Sequence, residues 1–559
     1  MFRSRIWVLC HCVILFVCAP SVMAVHTDNY SMKLHVSAAR LNGEMKLDYI
    51  NTSKSPISDI RLRLDMNIGD KSSITVKRVR DMEGHEIPWE YHAMTFGAWR
   101  SSKGQMVVHL SEPLLPGKRF ILMLTFVMKS ANAINPEMIT LQDDPYLSLD
   151  AWYPKAMSPL EGGWSADDDR PSKYQVNITL PQSYALASTG ITRSNTEQGQ
   201  TQEIDLHAAD VRGFSIYAVA GAKVYSQEKD GHAISVLLPV QYETWASSIH
   251  EAAFDVIKFY EQEYGAYPSK QLDIVCVGSM DGKAHGSAAA CNVVVLWLSK
   301  QFESQYRTLI AHELAHQYVG SMVGICRNEI AWAPMGLGLM MERDYHHARK
   351  RDYSRMMKTL SWFYLEAERR GFDTRLSQSV ELPLKSKPPW SFGWNMSLMH
   401  GKAMHVCLML EDLLGNESFQ AVARETIKRW QGRTLSNTDF IGLCKERAAQ
   451  PLDWFFDDWF TGKATIDYGI VKVSRSEAGL DVYVKQESSA AYPVLVEAVY
   501  RSGEKLQLRA DRKQHITICN LPERGEIVQV TIDPENIYPD IDKSNNTVKD
   551  FPEKPSMEN

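Results

Sequence analysis

Residues 312–320 of this chain read His-Glu-Leu-Ala-His-Gln-Tyr-Val-Gly. On a helix, positions i and i+4 share one face, so the imidazoles of His312 and His316 point the same way. Such a pair can hold one zinc ion, and Glu313 between them can act as general base on a water that the ion activates. Ordinary amphipathic helices also carry this pattern by chance, so the rest of the chain must supply what a zinc hydrolase needs.

Length and composition indicate a large globular protein. The chain has 559 residues, which is too long for one hydrophobic core and predicts about three or four domains. Hydrophobic residues make up 44% of the chain and charged residues 23%, as in ordinary globular proteins. The formal net charge of −6 gives no electrostatic basis for binding nucleic acid, so we expect no nucleic-acid partner.

The first 24 residues have the features of a secretory signal. Arg3 and Arg5 precede an apolar run over residues 6–18, and residues 22–24 (Val-Met-Ala) fit a small-residue cleavage site. We therefore expect cleavage after Ala24 and a secreted or periplasmic protein. Loss of the two arginines takes the formal charge from −6 to −8.

Two other interpretations of this leader stay open. It can be an uncleaved anchor, although its apolar run is short for a membrane-spanning helix. It can also be a lipoprotein signal at Cys18, although Val17 is bulky for the preceding position. We expect no membrane span after signal removal, because no other stretch is long and apolar enough.

The cysteines indicate no metal or redox motif. Three of the nine lie in the leader, and the other six are scattered without a Cys-x-x-Cys pair: Cys276, Cys291, Cys326, Cys407, Cys444 and Cys519. An exported protein could pair some of them, and the sequence does not say which.

The hydrophobic period changes twice along the chain. Residues 25–225 alternate with period two and contain turns such as Asn42-Gly43, which predicts a β domain. Residues 226–465 are mainly helical, with short apolar strands at 272–277 and 292–298 before the zinc-motif helix. Residues 466–543 return to period two and predict a small β domain, and residues 544–559 are polar and predict a disordered tail.

Six segments together resemble the membrane alanyl aminopeptidase family of zinc metallopeptidases, the gluzincin aminopeptidases. They are AWYPKAMSP (151–159), RPSKYQVNITLP (170–181), FDVIKFYEQEYGAYPSKQLDIVCV (254–277), HELAHQYVG (312–320), AMHVCLMLEDLLG (403–415) and DWFFDDWFTGKA (453–464). The resemblance implies a multidomain α+β protein: an N-terminal antiparallel β domain, a thermolysin-like, mainly helical catalytic domain and a small C-terminal β-sandwich. It also implies Zn²⁺ as cofactor and peptide or protein N-termini as partners.

The third metal ligand departs from the family pattern. The resemblance implies a glutamate within Trp-x-x-Glu-Gly, and this chain has Met335 at that position in Trp332-Ala333-Pro334-Met335-Gly336. A thioether is a poor ligand for zinc, which prefers imidazole, carboxylate or thiolate. Glu329 lies outside the expected helix, and Glu342 lies two turns, about 10 Å, further along it, so both are expected to be surface carboxylates.

Two further departures concern substrate and oxyanion. In the family, a Gly-x-Met-Glu-Asn loop anchors the substrate ammonium, and the corresponding residues 278–282 here place the shorter Asp281 in that role. The family's catalytic tyrosine corresponds to His400, or to Met399 if the register slips by one. His400 is a candidate hydrogen-bond donor or metal ligand, and equally a structural histidine at a helix start.

Two functional hypotheses follow. In the first, the chain is an exported zinc-dependent aminopeptidase in which His312 and His316 hold Zn²⁺ and Glu313 activates water. In the second, it is a catalytically inactive, peptidase-derived protein that binds a peptide or protein in the former substrate cleft. The intact motif at 312–316 favours the first, and Met335 favours the second.

Overall fold

The structure is a computed structural model. It describes residues 27–551 apart from short internal gaps. The gaps are 38–39, 71–72, 97–98, 130–145, 162, 166–169, 279–286, 299–301, 327–331, 377–394, 477–478, 488–489, 491, 511–514 and 523. The predicted signal peptide therefore lies outside the described residues.

The N-terminal region is rich in β-strands, as predicted. Its strands are Asn29–Ser37 (β1), Arg40–Ile50 (β2), Ile57–Arg63 (β3), Ile74–Arg80 (β4), Trp89–Phe96 (β5), Trp99–Leu114 (β6), Arg119–Lys129 (β7), Tyr146–Leu149 (β8), Lys155–Ala156 (β9), Ser158–Leu160 (β10), Gly163–Ser165 (β11), Ser172–Pro181 (β12), Tyr184–Ser188 (β13), Ile191–Gln198 (β14), Thr201–Val211 (β15) and Ile216–Ala220 (β16). One 3₁₀ turn, Asp65–Asp70, interrupts them.

These strands form two larger sheets around one core. One sheet has the order β14-β15-β12-β1-β2-β7-β4, and the other has the order β5-β6-β3-β9. Alternate residues face inward, so side chains such as Leu47, Val108 and Val176 are fully buried. The expectation of a purely antiparallel domain is wrong in one place, because β1 pairs with β12 in parallel.

The next region contains a mixed sheet. Its strands are Ala222–Lys229 (β17), His232–Pro239 (β18), Gln271–Gly278 (β19), Ser287–Ala290 (β20) and Val293–Leu298 (β21), in the order β17-β18-β19-β21-β20. β17 begins before residue 226 and pairs with β18, so this sheet starts a few residues earlier than the sequence indicated. A short parallel pair joins Gly324–Ile325 (β22) to Thr434–Leu435 (β23).

Helices pack against this sheet. They are Ala246–Tyr264 (α1), Phe302–Tyr318 (α2), Ala333–Ala348 (α3), Ser354–Arg369 (α4), Ala403–Leu414 (α5), Asn416–Trp430 (α6), Asn437–Arg447 (α7) and Asp453–Phe456 (α8). A 3₁₀ turn, Val240–Trp245, precedes α1, and two π-helical segments, Asn395–Lys402 and Asp457–Thr461, flank α5–α8. The helix expected to begin at His400 is therefore preceded by a π-helical segment that contains this residue.

Two small sheets complete the chain. Their strands are Tyr468–Ser476 (β24), Gly479–Gln486 (β25), Leu495–Tyr500 (β26), Lys505–Arg509 (β27), Ile516–Pro522 (β28), Ile527–Ile532 (β29) and Thr547–Val548 (β30), ordered β24-β25-β28 and β27-β26-β29-β30. The 3₁₀ turn Lys543–Asn545 and strand β30 correct the prediction of disorder from residue 544, because β30 pairs with β29.

Asp412 at the end of α5 ties the helical region to these sheets. Its carboxylate accepts hydrogen bonds from Tyr492 (2.9 Å), Tyr538 (3.0 Å) and Arg509 (2.6 Å). The apolar residues of both regions belong to one continuous cluster. The C-terminal sheets therefore brace the helices and do not have a core of their own.

Asp273 on β19 joins the N-terminal region to the mixed sheet. It is 6% exposed, and its carboxylate accepts hydrogen bonds from the backbone N–H of Ser188 (3.0 Å) and from Gln271 (3.4 Å). Burial raises the pKa of Asp273 to about 7, because removal from water disfavours its charged form.

An Asp273→Asn substitution is expected to flatten the pH dependence of stability. Because the folded-state pKa exceeds the unfolded value, the wild-type carboxyl stabilises the fold fully below about pH 4. This contribution is lost as pH rises through about 7. Urea denaturation at several pH values between these limits measures the free energy of unfolding. As pH increases, the value for the variant should rise relative to that of the wild type, by up to ~1.4 kcal/mol per pH unit. Equal slopes for the two proteins would contradict the prediction.

Two further findings concern the cysteines and the helices. All six cysteines after residue 24 are free thiols in the structure. Within the described ranges, no helix has the length and apolar character needed to cross a membrane.

Candidate active site

The zinc-motif helix α2 packs antiparallel against α3. Two contacts establish their relative position: His312 bonds to Glu342, and His316 lies beside Gly338, where an added Cβ would be 3.6 Å from the imidazole Cε1. Residue numbers increase along α2 from 312 to 316 while those of the facing residues on α3 decrease from 342 to 338, so the two helices are antiparallel. Met335, one turn before Gly338 and two turns before Glu342, lies on the same side of α3.

The two histidines converge as the sequence predicted. Their Nε2 atoms are 3.2 Å apart, and the two rings are perpendicular with centroids 4.7 Å apart. Two nitrogens, each 2.0–2.1 Å from one zinc ion in a tetrahedral site, would be about 3.3 Å apart. The pair therefore fits two adjacent corners of a zinc site.

Glu342 orients His312, and it is not a surface carboxylate as expected. It is 1% exposed, and its Oε2 accepts a hydrogen bond from Nδ1 of His312 at 2.9 Å. This bond keeps the proton on Nδ1 and leaves the lone pair on Nε2 for a metal, which is the usual supporting interaction of a metal-bound histidine. Glu342 approaches the wrong nitrogen to be a third ligand.

The pKa values of the two imidazoles are shifted in opposite directions. Burial disfavours charge on His312, but the hydrogen bond and the negative charge of Glu342, with help from Glu313, outweigh it and raise its pKa to about 9. Burial and the neighbouring His312 and His400 lower the pKa of His316 well below its usual value. A metal ion must therefore displace a proton from His312 but finds His316 already neutral.

No described residue supplies a third ligand. Among the described residues, no histidine, cysteine, aspartate or glutamate places a ligand atom within 4.8 Å of ligand atoms of both His312 and His316. Met335 is partly buried against the core. Glu329, the other carboxylate considered, lies outside the described residues. The donor set thus fits zinc at two positions and departs from it at the third.

Glu313 is held by a partner that the sequence did not reveal. It is 3% exposed, and its Oε1 accepts a hydrogen bond of 2.6 Å from the hydroxyl of Ser287 on β20. Ser287 lies 26 residues away and carries no motif, so only the fold brings the two together. The contact fixes the carboxylate beside the histidines, where a general base is needed.

Gln317 docks α2 onto the hairpin formed by β20 and β21. It is fully buried, its side-chain oxygen accepts from the backbone N–H of Asn292 (2.9 Å), and its amide donates to Ala290 (2.9 Å). In the described sheet β20 is an edge strand, next to Glu313. An edge strand offers unpaired backbone groups that can bind an extended peptide.

His400 lies against the two motif histidines. Its ring stacks on His312 with centroids 5.8 Å apart and an angle of 13° between the planes. This position, in the π-helical segment, brings a polar ring next to His312. As arranged, it does not complete a three-residue metal cluster with His312 and His316. Asp281, the candidate amine anchor, lies outside the described residues.

A Glu342→Gln substitution is expected to weaken zinc binding about 10- to 100-fold. Loss of the carboxylate partner lowers the basicity of a ligating histidine and orients its ring less firmly. The amide preserves side-chain size and one acceptor oxygen. Competition with a chromophoric chelator measures the affinity, and Glu417→Gln, at an exposed position, is the control. Equal zinc affinities in the two variants would show that Glu342 has no supporting role.

Comparison with known proteins finds similarity to one group of peptidases. Residues 249–459 match the Peptidase family M1 domain. Glutamyl aminopeptidase of Mus musculus is 23% identical over 333 residues, which are 55% of this chain and 33% of the relative. Aminopeptidase N of Acetobacter pasteurianus is 26% identical over 196 residues, 32% of this chain and 54% of the relative. The matches thus span about a third to a half of these relatives' lengths.

A solved structure supports the fold. An M1 zinc metallopeptidase from Deinococcus radiodurans, a point mutant bound to a Tyr-Ser-Ala substrate, superposes with a TM-score of 0.56. The alignment covers 78% of this chain and 93% of the other at 14% identity, so the likeness concerns the fold alone. Together the matches confirm the resemblance to the gluzincin aminopeptidases.

Proposed function

We propose that this chain, whose residues 249–459 match the M1 peptidase domain, is an exported zinc metallopeptidase of the aminopeptidase type. One observation carries the proposal. The Nε2 atoms of His312 and His316 lie 3.2 Å apart, with a buried carboxylate, Glu342, orienting the first of them. Such an arrangement suits metal binding and has a desolvation cost that an ordinary core would avoid.

Held by His312 and His316, Zn²⁺ would supply Lewis acidity toward the scissile carbonyl and toward water. Glu313 takes the proton of the attacking water and delivers it to the leaving amine. The hydroxyl of Ser287 holds Glu313 in place at 2.6 Å. His400 donates a hydrogen bond to the developing oxyanion, the role that the family gives to tyrosine.

The proposed substrates are peptides with a free amino terminus. An extended peptide would pair with the edge strand β20, and Asp281 would bind its ammonium group. The leader at residues 1–24 supports action in an extracytoplasmic compartment, after cleavage behind Ala24.

A second function is favoured by Met335. With a thioether at the position of the family's glutamate, the cleft can keep its shape and lose turnover. The chain would then be a catalytically inactive module that binds a peptide or a protein N-terminus. This alternative predicts peptide binding without hydrolysis.

The two functions are separated by zinc content and hydrolysis. Metal analysis should find about one more zinc per chain in the wild type than in the His312→Ala/His316→Ala double variant, which is the control. A panel of aminoacyl amides and peptides should be cleaved by the wild type only when the amino terminus is free, and should not be cleaved by the control. A wild type that holds no more zinc than the control, and whose hydrolysis equals that of the control, would refute the peptidase and leave the binding module.

A further inference from the structure

The N-terminal region carries a second group of side chains of the types that bind metals, far along the chain from residues 312–316. Glu90 and His92 are two residues apart on β5, so they share a face. Glu90 pairs with Val107 on β6, which places His109 diagonally beside it on the same face. The opposite face carries Met106 and Val108 into the core, so the three polar side chains face away from it.

The two imidazoles converge on one carboxylate oxygen. Nε2 of His92 lies 3.0 Å from Oε1 of Glu90, and Nε2 of His109 lies 3.3 Å from the same atom. Ligand atoms about 2.0–2.2 Å from a common ion are about 3.0–3.4 Å apart along the edges of a coordination polyhedron. Both nitrogen–oxygen distances match such edges.

We propose that Glu90, His92 and His109 form a binding site for a divalent late-transition metal ion such as Zn²⁺ or Cu²⁺. Two imidazole nitrogens and one carboxylate oxygen are the ligands these ions prefer, and three protein ligands leave further positions to water. Neither the family match, which begins at residue 249, nor the zinc motif includes these residues.

Binding requires the two imidazoles to move toward each other. Their Nε2 atoms are more than 4.8 Å apart, whereas two nitrogen ligands of a tetrahedral zinc ion are about 3.3 Å apart. The side chains are 43–58% exposed and can rotate without disturbing the core. The ion would take the Nε2 lone pairs, so the ring protons move to Nδ1 and any imidazolium proton passes to solvent.

A neighbouring carboxylate, Asp59, pairs with an arginine and not with this site. Asp59 on β3 pairs directly with His109, but its carboxylate accepts hydrogen bonds from Arg61 at 3.2 and 3.3 Å. The guanidinium therefore neutralises the extra negative charge. The charge of the site is that of a single carboxylate, which suits a nitrogen-preferring ion and disfavours Ca²⁺ or Mg²⁺.

The test is a titration of Zn²⁺ into the full protein in the His312→Ala/His316→Ala background, which removes the other candidate site. One equivalent should bind, and His109→Gln should weaken it by at least about tenfold. Cu²⁺ bound there should show nitrogen coupling from two imidazoles by electron paramagnetic resonance.

The matched control is His207→Gln. His207 on β15 also contacts one carboxylate, Asp205, at 3.0 Å and is also partly exposed, but among the described residues no second imidazole pairs with that carboxylate. This variant should keep the equivalent of Zn²⁺. The proposal is overturned if the background protein binds no zinc, if the equivalent survives Glu90→Gln together with His109→Gln, or if it is lost instead in Asp81→Asn, which alters the exposed cluster Asp81, Glu83 and His85.

Discussion

A Met335→Glu substitution is expected to raise the affinity for Zn²⁺ by more than ~100-fold, since loss of a mere supporting partner already changes metal affinity about 10- to 100-fold. Met335 lies on the side of α3 that faces α2, where Gly338 lies beside His316 and Glu342 bonds to His312. A carboxylate there would add an anionic oxygen ligand to two nitrogens and complete the three-ligand set of a catalytic zinc site.

The matched control is Met335→Gln, which has nearly the same size and polarity as the glutamate but no charge. Zinc affinity is measured by chelator competition, and thermal unfolding without metal shows whether either variant perturbs the fold. The glutamate variant should gain both affinity and peptide hydrolysis. Similar zinc affinities in the two variants would contradict the position assigned to Met335.

A Glu313→Gln substitution is expected to lower kcat by about 10²- to 10⁴-fold, the range supplied by general acid–base catalysis. Glutamine keeps the volume of this buried side chain and an oxygen that accepts from Ser287, so the fold and the two histidines should be preserved. Only the ability to take a proton is lost.

Added zinc distinguishes this effect from that of Glu342→Gln. A variant that binds zinc weakly recovers activity in excess zinc, whereas a variant without its general base does not. Steady-state hydrolysis is therefore measured with and without added Zn²⁺. Recovery of the Glu313→Gln variant, or activity equal to wild type, would rule out Glu313 as the base.

Much of the fold was predictable from hydrophobic period. Period two over residues 25–225 predicted the N-terminal strands, and the change of period after residue 225 predicted the mainly helical region, because side-chain direction alone determines which residues face the core. The parallel pairing of β1 with β12 was not predictable, since the strands are over a hundred residues apart in sequence and either direction buries the same face.

The candidate site likewise has features that were predictable from the sequence and features that were not. The spacing within His312–His316 determines that two imidazoles share a face, because helix geometry is local. The register of α3 on α2 is not local, and it decides that Glu342 meets Nδ1 of His312 and that Met335 lies on the side facing the site. The prediction that Glu342 is a surface carboxylate was wrong. It considered only the distance between Glu342 and Met335 along α3, and not the packing of α3 against α2.

By itself, the sequence determined that His312 and His316 share a helix face with Glu313 between them as the candidate base, and that Met335 stands where the family pattern has a glutamate. All three depend on residue type at short spacing. The tertiary structure alone decided the contact of Ser287 with Glu313, the stacking of His400 on His312, and the convergence of His92 and His109 on Glu90. These contacts join distant segments, and their distances arise from sheet register and helix packing, which no local pattern encodes.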